Sequence, residues 1–107
     1  MPYTSNWTGG LDNNAALIQY ADGYKLKPEE KKPFIFVSAA KANDVLFVDL
    51  AYGEAVIITN AGENAAYIQN NEDDEGAALQ AGEVAVVLSW GENGVVLFTL
   101  NASGGGD

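Results

Sequence analysis

From Phe34 onward the chain consists of short apolar runs, at 34–38, 45–50, 55–60, 65–69, 83–89 and 95–100, each bounded by turn formers. They are too short for helices and rich in β-branched and aromatic residues, so they read as strands. Between the last two runs stands Gly91-Glu92-Asn93-Gly94. Asn-Gly tolerates the positive φ that tight turns require, which predicts a closing β-hairpin. Asn60-Ala61-Gly62-Glu63-Asn64 has the same turn chemistry and predicts a second hairpin, pairing Val56, Ile57 and Ile58 with residues 65–68. In the last hairpin Val84, Val86 and Leu88 alternate with Ala85 and Val87, and residues 95–100 are apolar on both faces except at Thr99. Strands of this kind require cover on both sides. The expected fold is all-β, a small antiparallel β-sandwich or barrel, with the second cover supplied by the N-terminal segment or a neighbouring subunit.

The first third lacks a sustained period of two or 3.6 and reads as an irregular arm. Asp12 or Asn13 can cap a helical turn or two running to Tyr20 through Ala15, Ala16 and Leu17. Pro28 and Pro33 bracket a charged connector. The expected organisation is an arm and connector over 1–33, a β-sandwich domain over 34–103 and a glycine-rich tail over 104–107. Charge divides along the same boundary. Residues 1–33 are formally neutral, whereas 34–107 hold Lys41 against eleven acids and carry the whole net charge of −10.

That charge, with a pI near 4.1, predicts repulsion of nucleic acid and anionic membrane. The start MPYTSNWTGG shows neither a basic leader nor an apolar stretch, so no export signal is expected, and no run is long enough to span a bilayer. The chain has no histidine, cysteine or arginine. The usual general base, the thiolate nucleophile and the guanidinium fork are therefore missing, and no catalytic residue is expected.

Asn70-Asn71-Glu72-Asp73-Asp74-Glu75-Gly76 offers the hard oxygen ligands that calcium selects, but not at EF-hand spacing. A solvated loop tip that discourages edge pairing is the expectation, with no metal and no cofactor. The remaining acids are scattered at turns, which does not suggest the paired carboxylates of a glycosidase. Two sets of large apolar residues stand out. Tyr3, Trp7, Leu11, Leu17, Ile18, Tyr20 and Tyr24 are large apolar groups in a segment without a core of its own, the type that anchors interfaces. Tyr52, Tyr67 and Trp90 lie at run ends or turns, where aromatic faces can stack on a ligand.

The stretch from Val56-Ile57-Ile58-Thr59-Asn60-Ala61-Gly62-Glu63-Asn64 through Tyr67-Ile68, followed by Leu79-Gln80-Ala81-Gly82-Glu83-Val84 and a closing apolar hairpin, resembles small β-sandwich virion proteins of tailed bacteriophages, including head decoration or cement proteins. The resemblance covers roughly residues 55–100. It implies a non-enzymatic protein on the capsid surface of a virion, made in the host cytoplasm, that clamps the major capsid protein. A homo-oligomer fits that role, and no residue singles out a trimer over other forms. The rival expectation is a carbohydrate- or receptor-binding sandwich that uses exposed aromatics.

Overall fold

The computed structural model describes residues 14–90 and 94–100. Nine strands occur in this part of the chain: β1 (Ala15–Tyr20), β2 (Tyr24–Lys25), β3 (Phe34–Ala39), β4 (Asp44–Phe47), β5 (Ala55–Asn60), β6 (Ala66–Gln69), β7 (Ala77–Leu79), β8 (Val84–Ser89) and β9 (Val95–Thr99), with a 3-10 turn at Pro28–Glu30. They form a five-stranded sheet in the order β1-β3-β5-β8-β9 and a four-stranded sheet in the order β2-β4-β6-β7. The fold is all-β and two-layered, and neither sheet closes into a barrel.

The pairing is mixed rather than uniformly antiparallel. The chain alternates between sheets from β1 to β6, so β1, β3 and β5 run parallel in one layer and β2, β4 and β6 parallel in the other. This is a flattened coil of roughly 20 residues per turn, as the pairing of Ala15 with Phe34 and of Asp44 with Ala66 shows. After β6 the direction reverses. β7 pairs antiparallel with β6 and β8 antiparallel with β5. The expected final hairpin is present as β8–β9, with Ser89 opposite Val95.

Three expectations are corrected. The turn at residues 60–64 does not close a hairpin, because it carries the chain from one sheet to the other. Ile58 and Ile68 thereby enter the shared core from opposite layers, both fully buried; pairing them in one sheet would leave that layer uncovered. Gly62 permits the close passage, since a Cβ there would lie 2.9 Å from Ser38 Cα. Residues 15–20 form a strand, not a helix: the helix preference of Ala15, Ala16 and Leu17 is small beside a full register with β3 and burial of Ile18 and Tyr20. From residue 14, therefore, the expected arm belongs to the sheets, and Phe34 is not where the compact body begins.

The core is filled from both layers, by Ile35, Val37 and Ile58 on one side and Leu46, Ile68 and Leu79 on the other. Each such side chain contributes about 1.5–3 kcal/mol on burial. Where the backbone leaves the ladders at the coil corners its polar groups still need partners. Side chains from adjacent coils supply several. Asp22 Oδ1 accepts from Val45 N at 2.7 Å, Asn70 Oδ1 accepts from Leu50 N at 2.7 Å, and Asn64 Nδ2 donates to Ala39 O at 3.1 Å. Asn60, fully buried, donates through Nδ2 to the carbonyls of Asn64 and Leu79, each at 2.9 Å. Among the described residues no buried side-chain nitrogen or oxygen lacks a partner.

Candidate interaction surface

Side chains alternate across a strand, so the residues between the core positions of the five-stranded sheet point outward. The register aligns Ala15, Phe34, Ile57, Val86 and Phe98 across all five strands. Leu17, Phe36, Thr59 and Val84 form the next row, and Ala55, Leu88 and Val96 a third. Apart from Thr59 these rows are apolar. Phe34 is 46% exposed and Phe98 54%, with Leu100 beside them at 52%. Phe34, Ala55, Ile57 and Val86 line a shallow depression in this surface.

Electrostatics set the face apart as well. None of the five strands contains a charged residue, in a chain of net charge −10. Its outer strands, β1 and β9, carry no charge or proline to discourage edge pairing. The opposite sheet ends instead in β2, two residues long, and β7, three residues long.

The acidic loop after β6 has an internal organiser. Asp74, nearly buried, accepts hydrogen bonds from Asn70 N at 2.7 Å and Val95 N at 3.1 Å through Oδ2, and from Gly76 N at 3.0 Å through Oδ1. Both carboxylate oxygens are engaged with the backbone, pinning the loop to the start of β9. Gly94, at φ +83°, must lack a side chain, because a Cβ would lie 2.1 Å from that carboxylate. No three acids among the described residues converge as a metal site.

The expected anchor residues do not form one surface. Tyr3, Trp7 and Leu11 lie outside the described residues. Leu17 faces outward on β1, but Ile18 and Tyr20 point into the core, each 5% exposed, and are not available to a partner. Tyr20 Oη donates to Asp44 O at 2.8 Å; burial first, then the charges of Asp44 and Asp22, push its hydroxyl well above the usual tyrosine range. Tyr24 Oη donates to the Glu30 carboxylate at 2.7 Å, and that hydrogen bond, with burial and the neighbouring acids, raises it too.

Of the expected stacking residues, two meet. Tyr52, 71% exposed, and Trp90, 54% exposed, have ring centroids 6.2 Å apart and an interplanar angle of 41°. Tyr67 is elsewhere, on β6, its hydroxyl donating to Glu75 O at 2.8 Å.

Comparison with family models, with curated proteins and with solved structures finds no match for the chain. No helix among the described residues is long and apolar enough to cross a membrane. The principal residues missed in the sequence are Phe34, Phe36, Ile57 and Phe98. Their signal was the two-sided apolarity of residues 95–100, which extends to the strands that line up beside them.

Proposed function

We propose that this chain is a non-enzymatic structural protein of a virion, which docks on the major capsid protein of a phage shell through the outer face of its five-stranded sheet. The observation that carries the reading is that face: largely apolar and free of charge in an otherwise acidic molecule. An uncharged surface avoids the desolvation of ions on docking, while the acidic remainder keeps the free protein soluble. The sequence resemblance to head decoration proteins supplies the class of partner, and the absence of histidine, cysteine and arginine from the chain supports a role without catalysis.

Area decides how such docking would work. Five strands at about 4.8 Å spacing and five or six residues at about 3.4 Å rise give a face of roughly 400–500 Å². A standard interface buries about 800 Å² per partner, so one copy on one site would hold weakly. Many copies placed by the symmetry of a shell, or linked as a homo-oligomer, would hold together through avidity. Residues 1–13, with Tyr3, Trp7 and Leu11, offer a further source of contact area.

The test is co-sedimentation with purified phage shells, comparing the native protein, the double variant Phe34→Glu/Phe98→Glu and a chain lacking residues 2–13. Both phenylalanines point away from the core, so the double variant should melt close to the native protein and lose shell binding. Full binding by this folded variant would refute docking through the sheet face. Failure of the native protein to bind any shell would refute the virion role.

A further inference from the structure

We propose that Tyr52 and Trp90 form a stacking platform for neutral pyranose sugars, at the end of the β5–β8 ladder and two rows along from Phe34 and Phe98, beyond the shell-docking role. Neither ring enters the core, and both leave large apolar area in water. Their 41° tilt keeps them from closing face to face, so ring surface stays open to a ligand. The apolar C–H face of a pyranose packs against such surfaces while its hydroxyls stay hydrated.

The platform is built before any ligand arrives. Tyr52 lies in a turn closed by Glu54 N donating to Ala51 O at 2.8 Å and by Glu54 Oε1 accepting from Ala51 N at 2.8 Å. Gly53, at φ +86°, gives that turn its bend. Two backbone hydrogen bonds then fasten it to the end of β8: Gly53 N to Ser89 O at 2.9 Å and Ser89 N to Glu54 O at 3.0 Å. Trp90 follows directly, its own N–H donating to Gly94 O at 2.9 Å. Holding the backbone at both rings lowers the ordering cost of binding.

The polar surroundings define the sugar class. Glu54 keeps further lone pairs for hydroxyl donors beyond the one given to Ala51. Glu54, in the same turn as Tyr52, is the acid that sets the charge there, whereas Asp49 is already paired with Lys31 Nζ at 3.5 Å and Lys25 Nζ at 3.9 Å. Uronates and sulfated sugars would meet like charge there, whereas neutral hexoses and N-acetylhexosamines would not.

The experiment is a titration of the ¹⁵N-labelled full chain with cellohexaose, chitohexaose, maltohexaose and oligogalacturonate, following the indole N–H of Trp90, assigned by its loss in Trp90→Phe. At least one neutral hexamer should shift this resonance saturably, and oligogalacturonate should not. Tyr52→Ala should weaken the response about tenfold with unchanged melting, while Tyr52→Phe should retain it. No shift with any neutral hexamer, an undiminished response in Tyr52→Ala, or a preference for oligogalacturonate would each overturn the proposal. The Phe34→Glu/Phe98→Glu variant should respond like the native protein, so this result stands or falls apart from shell docking.

Discussion

Asp74→Asn isolates the role of one carboxylate in a loop crowded with acids. Asparagine keeps the shape of the side chain but replaces one acceptor oxygen with an amide NH₂. In its best orientation the remaining oxygen keeps the N–H groups of Asn70 and Val95, and the new amide is set against the N–H of Gly76. The lost hydrogen bond to a charged group is worth about 1.5–3 kcal/mol, and the two survivors weaken by roughly 0.5 kcal/mol each once the acceptor is neutral. The expected loss is therefore about 2.5–4 kcal/mol. For a chain of this size that corresponds to a fall in Tm of roughly 11–18 °C. Urea unfolding should show a lower midpoint at unchanged slope, since the surface exposed on unfolding is the same. Asp73→Asn is the control: this exposed neighbour, one residue away, should shift stability by no more than about 0.5 kcal/mol. Equal melting of Asp74→Asn and the native protein, or equal losses in both variants, would refute the assignment of Asp74 as the organiser.

Tyr20 gives the fold an alkaline limit. Its hydroxyl titrates above the unfolded value, so its contribution is complete below pH of about 10 and is lost above it, at about 1.4 kcal/mol per pH unit while the folded form stays protonated. Tyr20→Phe should cost about 1–2 kcal/mol at neutral pH, because Asp44 O loses its donor, yet lose less stability than the native protein above pH of about 10. Denaturant titrations of both proteins across that range check it, and parallel pH curves would contradict it. Gly62→Ala should destabilise by about 1–3 kcal/mol, because its Cβ meets Ser38 Cα at 2.9 Å, which a rotamer change cannot relieve. A thermal midpoint equal to the native value would show that the coil passage can widen.

Sequence patterning revealed the all-β class and the final hairpin, because alternation and Asn-Gly turns are local signals. The coil was not visible. Its repeat lies in backbone pairing, and the equivalent positions share no motif: Ala15, Phe34 and Ile57 occupy one row yet differ in size and shape. The reading of residues 60–64 as a hairpin failed for a related reason. A turn signal states that the chain bends, whereas its destination depends on which burial is greater, here that of Ile58 and Ile68 in opposite layers. The aromatic pair was half legible. Tyr52 and Trp90 were marked by type and position, but their meeting depends on the Gly53–Ser89 bond between distant segments.

The parallel ascent from β1 to β5, followed by the reversed β8, makes the length of this protein adjustable. Within its sheet each strand in the ascent hydrogen-bonds only to its neighbours on either side, and the antiparallel return closes the end of that ladder. Duplicating a turn would broaden the sheet by about 4.8 Å and add one outward-facing column of side chains. The width of the apolar face, and with it the grip of a single copy, is thus a quantity that can grow in steps while the corner chemistry at either end stays as it is.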